Sequence, residues 1–195
     1  MKHIQGCVAL SATHPAYNPY SYHRGSVWPA EQGSFGLGFL RYGLHGQLEQ
    51  LCRSQFEAAR LFDLYRLPEL FSGHQRDADH PFPALYAQSN SPQAWSASTV
   101  LCLLQGLLGL YPYAPLRVLL LDPHLPAWLP TITLHNLRVG AASLSLRFSR
   151  TGHGTDYEVL DKRGTLHVIR QPSPWSLTAS FAGRAKGAVS SLLPW

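Results

Sequence analysis

Between residues 45 and 66 the side chains Leu48, Leu51, Cys52, Phe56, Ala59 and Phe62 fall on one helical face, while Glu49, Arg53, Glu57 and Arg60 lie largely off it. That spacing predicts an amphipathic α-helix. Pro68, which has no amide hydrogen to donate, stops it. An earlier helix opens at Trp28-Pro29, because the fixed φ of proline suits a first helical position. Phe35, Phe39 and Tyr42 keep its period, and "YGLHG" (42–46) ends it. Gly33, Gly36 and Gly38 interrupt the same stretch, each at about 1 kcal/mol relative to Ala. This helix therefore needs something packed against its glycine face. A third helix is predicted from Ser91-Pro92, with Ser91 as N-cap and Pro92 at the first position. From Trp95 to Leu110 it is apolar nearly all round, which predicts burial among other helices.

After Pro112 and Pro115 the period changes to two. Leu144, Leu146 and Phe148 alternate with Ser145, Arg147 and Ser149, as in a half-buried strand. Tyr157 and Val159 before "DKRG" (161–164), with Leu166 and Val168 after it, predict a hairpin. Residues 1–28 read as irregular, 67–90 as a long loop rich in Pro, Gly, His and Asp, and 171–195 as a weakly patterned tail. A loop of that length inside a compact domain is often functional. The boundaries give a helical region 1–115, a β-rich segment 116–170 and the tail 171–195. One deficit stands out: the glycine-faced helix and the apolar helix call for neighbours that about three helices and a few strands do not obviously supply.

The chain has 195 residues, 45% of them hydrophobic and 14% charged. A chain of this composition buries a real core, yet it carries less charge than the usual 25% or so, which points to surface that meets something else. Its net charge of +5 comes from scattered arginines, without the clustered cations and interleaved aromatics of a nucleic-acid groove, so nucleic acid is not an expected partner. Cys7, Cys52 and Cys102 form neither a C-x-x-C pair nor a zinc spacing, which predicts a reduced chain in the cytoplasm. The apolar stretch in "MKHIQGCVALSATHP" is too short for a signal peptide. Residues 80–116 lack Asp, Glu, Lys and Arg. The solidly apolar part, Val100 to Tyr111, includes Gln105 and falls short of the roughly 20 residues of a membrane span, so no membrane partner is expected. Ten histidines include His74 and His80, which flank Asp77 and Asp79, but no helical ligand motif occurs. The expectation is no metal and no cofactor.

Three phrases, "YHRGSVWP" (22–29), "LPELFSG" (67–73) and "SPQAWS" (91–96), resemble in order and spacing the C-terminal part of bacterial amylo-α-1,6-glucosidase or glycogen-debranching-type proteins, members of the six-hairpin glycosidases. "LLLDPHLPAWLPTITLHNLRVGAASLSLRFSR" (119–150) resembles the short β-rich tail of that family, so the likeness covers roughly residues 17–150. The resemblance implies a mainly α chain: part of an (α/α)6 toroid, two concentric rings of helices around a sugar-binding cleft, followed by a small antiparallel β-rich segment. It implies a C-terminal fragment of an inverting glycoside hydrolase acting on α-glucan, with oligosaccharide or α-glucan as ligand and the missing N-terminal part of the enzyme as partner.

Inverting hydrolysis uses two carboxyl groups about 6.5–9.5 Å apart, one donating a proton to the leaving oxygen and one accepting a proton from water. Glu69 resembles the general base of the family. Pro68 fixes its backbone and the apolar flanks limit water, so burial is expected to raise its pKa. Read without the resemblance, Glu69 caps a helix or pairs with Arg66 or Arg76. The resemblance sets Tyr22, His23, Trp28, Glu31, Gln93 and Trp95 along the cleft. Trp28 then stacks on a sugar face or, equally, packs in the core. Tyr22 and His23 hydrogen-bond hydroxyls, and Gln93 and Trp95 line the cleft floor or pack the start of their helix. The chain departs from the family where Arg24 replaces Asn and Ala30-Glu31 replaces His-Asp. The general acid of the family is an Asp upstream of the first phrase, and here no Asp precedes Asp63. Asp77 and Asp79 read as solvated loop charge. The chain is therefore expected to be inactive alone. The alternative is a non-catalytic carbohydrate-binding or protein-interaction remnant.

Overall fold

The computed structural model describes residues 6–171; the predicted tail lies almost wholly outside the described residues. Three α-helices, α1 (Pro29–Arg41), α2 (His45–Ala59) and α3 (Ala94–Leu108), precede six strands. The strands are β1 (Leu110–Tyr113), β2 (Val118–Leu121), β3 (Thr131–Val139), β4 (Ala142–Thr151), β5 (Gly154–Arg163) and β6 (His167–Arg170). The chain divides into two compact units, one of residues 6–38 and 46–104, the other of residues 39–45 and 105–171.

Three helices and two three-stranded sheets are neither a mainly α chain nor part of an (α/α)6 toroid; that expectation is corrected. The physical reason lies in α1. A side chain added at Gly33 would meet Cys102 and Thr99, and one added at Gly36 would meet Leu103 and Leu48. Helices α3 and α2 of the same chain therefore fill the glycine face, and no outer ring is needed to do so. Nor is α3 surrounded. Ser96, Thr99 and Leu103 are wholly buried, whereas Leu101 is 69% exposed and Trp95 50%. Apolar residues all round the helix do not amount to burial all round it.

Helix α2 buries Leu48, Leu51, Cys52, Gln55, Ala58 and Ala59, close to the predicted face. It ends at Ala59, well before residue 66, because the chain turns through a short 3-10 helix, Asp63–Tyr65, with Leu64 and Tyr65 in the left-handed region at φ 53° and 58°. Cys52 is buried, and desolvation pushes its thiol pKa up to about 12, which makes it packing rather than a nucleophile. Helix α1 starts at Pro29 as the Trp-Pro pair requires. Helix α3 starts at Ala94 rather than at Pro92, where the amide of Ala94 donates to the Gln93 side-chain carbonyl at 2.9 Å. Val27, Ala58, Ala59, Leu67 and Phe71 form a buried cluster here, with Val8, Phe62 and Val100 packed against it.

In the second unit β1 runs antiparallel and β6 parallel to the central β2, and β3-β4-β5 form an antiparallel meander. Leu144, Leu146 and Phe148 of β4 join Leu108, Leu119, Leu121, Leu125 and Val139 in one core, the face their alternation predicts. The hairpin expected around "DKRG" is corrected. β5 pairs with β4, and the strand after "DKRG" joins β2 in parallel. Alternation fixes which face of a strand is buried, not which edge it joins. Among the described residues no helix is long and apolar enough to cross a membrane.

Candidate functional site

Glu69 sits in a short extended run held from both sides. Val27 and Phe71 exchange backbone hydrogen bonds at 2.8 and 3.0 Å, and the Glu69 amide donates to the Asn90 carbonyl at 2.8 Å. From the start of α3, the Ser96 hydroxyl donates to the Pro68 carbonyl at 2.7 Å and the Gln93 amide to the Leu67 carbonyl at 3.2 Å. With Leu70 and Phe71 wholly buried, the backbone has no freedom to swing Glu69 away. Glu69 as a whole is 9% exposed. Its Oε1 accepts from the Tyr22 hydroxyl at 2.7 Å, and its Oε2 accepts from the Asn90 amide at 3.1 Å and from Asn90 Nδ2 at 3.5 Å.

These donors reverse the expected pKa. The Tyr22 hydrogen bond, then that of the Asn90 amide, stabilise the ionised form and hold Glu69 below its ordinary range; burial pushes the other way and loses. The same bond raises the Tyr22 phenol. Among the described residues Glu69 thus neither caps a helix nor pairs with arginine. Arg76 donates instead to the Pro81 carbonyl at 3.1 Å.

Tyr22 also opens an aromatic cluster. Its ring stands edge-on to His23 at 4.8 Å and to Trp28 at 4.9 Å between centroids. His23 and Trp28 lie parallel within 5° at 5.6 Å, and Trp95 is 6.3 Å from Trp28. The Trp28 indole donates to the Ser26 hydroxyl at 2.9 Å, which leaves its ring face as the group on offer. A cavity of about 770 Å³ is lined by His23, Trp28, Glu31, Gln32, Phe35 and Trp95, among others. Trp28, Glu31 and Phe35 come to one wall because they are spaced three and four apart at the start of α1. The Gln32 amide stiffens that wall: its Nε2 donates to the carbonyls of Cys7 and Trp28 at 2.9 and 3.1 Å, and its Oε1 accepts from the Cys7 amide at 2.7 Å. Aromatic faces with a few polar groups are the lining of a small-molecule site.

Of the residues expected at a cleft, His23, Trp28, Glu31 and Trp95 share this cavity, and Tyr22 joins its aromatic cluster to Glu69. Gln93 does not line it; its side chain is spent on the start of α3. Sequence reasoning missed Asn90 and Gln32, which act through ordinary amides, and counted Phe35 only for its helical period.

One group of possible metal ligands does occur among the described residues, apart from the loop histidines singled out in the sequence. In the second unit His45, Asp122 and His124 each offer one ligand atom, all within 4.8 Å of one another. Burial, then the neighbouring His124, hold His45 below the ordinary histidine range, with Asp122 opposing. The loop pair His74 and His80 stacks, at 4.5 Å, with a His80 ring nitrogen 3.0 Å from Asp77. No protein-family model matches the chain, and no curated protein matches it.

Proposed function

We propose that the chain binds an α-glucan oligosaccharide on the Trp28–Trp95 groove and is the base-bearing portion of an inverting glycoside hydrolase, without hydrolytic activity by itself. The observation that carries this reading is the continuous run from cavity-lining rings to an ionised carboxylate: Trp95, Trp28 and His23 along a cavity, then Tyr22, then Glu69. A cavity of about 770 Å³ lies within the range of roughly 300–1,000 Å³ typical of ligand sites. The apolar faces of a sugar ring suit indole and imidazole faces, and Glu31 and His23 offer hydrogen-bond partners for hydroxyls. The resemblance of the three phrases supplies the reaction class.

Glu69 is the group that would take the proton of an attacking water. Two features limit it. Both oxygens already accept hydrogen bonds, and a carboxylate held below its ordinary range is a weaker base. Inversion also needs a carboxylic acid about 6.5–9.5 Å away, and the upstream Asp that has this role in the resembled family has no counterpart before Asp63 in this sequence. In this reading the acid is supplied from outside these 195 residues.

Calorimetric titration with maltoheptaose tests the binding claim. We expect saturable binding, weakened at least about tenfold in Trp28→Ala, the scale of an aromatic contact with its burial. Isomaltose and p-nitrophenyl glucoside should remain uncleaved. Absence of glucan binding by the native chain refutes the proposal, and turnover that disappears in Glu69→Gln refutes the inactivity. The occupied carboxylate oxygens favour a second reading, a non-catalytic carbohydrate-binding chain. In that case glucan binding persists in Glu69→Ala, and no added polypeptide restores hydrolysis.

A further inference from the structure

We propose that His45, Asp122 and His124 form a binding site for a divalent transition-metal ion of the zinc class, separate from the groove described above. All three belong to the same unit, residues 39–45 and 105–171. Asp122-Pro123-His124 follows β2, and in extended chain residues two apart face the same side. Both ends are pinned: the Asp122 amide donates to the Gly109 carbonyl at 3.1 Å, and the His124 amide to the Leu107 carbonyl at 2.8 Å. Gly109 has φ 55° and the Asp122 backbone fills the space a side chain would take, so this close approach requires glycine. His45 opens α2 and is delivered by the turn at Gly43 and the Leu44 amide bond to the Phe39 carbonyl at 2.8 Å.

The ligand atoms lie close to the spacing a metal asks for. His124 Nε2 lies 3.0 Å from Asp122 Oδ1, a hydrogen bond that an entering ion would replace. Metal–ligand bonds of about 2.0–2.2 Å in a tetrahedron separate ligand atoms by roughly 3.3 Å. The widest separation in the trio is within 4.8 Å, so His45 needs to close by about 1.5 Å at most, a side-chain rotation. The second observation is an orphan. Both ring nitrogens of His45 are buried, and neither has a hydrogen-bond partner among the described residues. Buried polar atoms without partners are uncommon and call for an explanation such as an ion. His45 instead lies face to face with His124, centroids 3.6 Å apart, so the rings must turn out of this stack for a nitrogen of each to reach one ion. The His124 side chain is 38% exposed and that of Asp122 8%. Solvent thus reaches one side, giving the ion an entry path and a fourth position for water, as in three-ligand zinc sites. Two imidazoles and one carboxylate favour zinc, nickel or copper over magnesium or calcium, which prefer all-oxygen shells.

The test uses the full chain stripped by chelator and dialysed, titrated with zinc by calorimetry and with cobalt by visible absorption. We expect one equivalent to bind, with the intense visible bands of four-coordinate cobalt. His45→Ala and His124→Gln should each weaken zinc binding at least about a hundredfold, since loss of mere outer partners of a ligand already costs about 10–100-fold. Circular dichroism checks that the variants fold. Nitrogen NMR on the unmutated chain gives an independent readout, in which zinc should shift the imidazole signals of His45 and His124. The proposal is overturned if no zinc binds, if binding survives both substitutions, or if the signals that move belong to other histidines such as His74 and His80.

Discussion

A carboxylate set between Pro68 and Leu70, both deeply buried, would by burial alone hold its proton more readily than one in water. Glu69 behaves oppositely because the Tyr22 hydroxyl and the Asn90 amide donate to its two oxygens. Tyr22→Phe removes the stronger influence at little cost in shape, so the Glu69 pKa should rise, as a carbon-detected NMR titration of its carboxyl would record. The consequence for stability has a definite sign. A folded pKa below the unfolded value, ordinarily about 4.5, contributes stability that is fully present above that value and is lost as pH falls through the folded pKa. The gap in urea midpoint between the native chain and Tyr22→Phe should therefore be widest above the unfolded pKa and narrow as acid protonates Glu69 in both. A gap independent of pH would mean that Tyr22 acts through packing alone. The limited access of water to Glu69 was legible in the sequence, since Pro68, Leu70 and Phe71 flank it. The direction of its pKa was not. It depends on a hydroxyl far away in the chain and on a backbone amide that almost any residue could supply.

At the scale of elements, the glycines of α1 separate into two kinds. At Gly36 an added methyl would come within 2.5 Å of Leu103 Cδ2, and Leu103 is wholly buried. Gly36→Ala should therefore destabilise by about 1–3 kcal/mol, the usual cost of overpacking. At Gly38 nothing lies within 4 Å, so Gly38→Ala should stabilise by about 0.5–1 kcal/mol through helix propensity and a less disordered unfolded chain. Urea unfolding of the two variants gives opposite shifts in midpoint if the glycine face is packed as described, and equal shifts if it is not. The pattern of Gly33, Gly36 and Gly38 did reveal that α1 needs a close neighbour, because three glycines are costly in a helix without one. It did not reveal that α3 of the same chain is that neighbour, since periodicity states a demand and not its supplier. The same limit explains β6. Leu166 and Val168 alternate as a strand should, yet its partner is β2 rather than β5. It applies to the proposed ligand trio as well, where His45 and the Asp122–His124 pair are too far apart in the chain for any local spacing rule to join them.

For the whole molecule, the balance of charge decides between classes of partner. The formal net charge is +5 with histidine neutral, enough to attract a polyanion if the cations were gathered. Many are not free to gather. Arg53 is paired with Glu57, Arg147 with Glu158, Arg163 with Asp161 and Arg170 with Asp156, exposed pairs that add little stability but do cancel local field. Nor does the groove need cations: its walls are His23, Trp28, Phe35 and Trp95, with the acid Glu31 among them. A neutral glucan releases no counterions when it binds, whereas a nucleic acid held by several phosphate contacts loses about 10³-fold or more in affinity between 50 and 200 mM salt. Maltoheptaose affinity should thus change by less than about twofold over that range, since no counterion release is involved, and it should fall in Trp95→Ala at every salt concentration. A steep salt slope, or displacement of the glucan by a single-stranded oligonucleotide at physiological salt, would show that scattered arginines act together as a polyanion surface and that the exposed tryptophans serve bases rather than sugars.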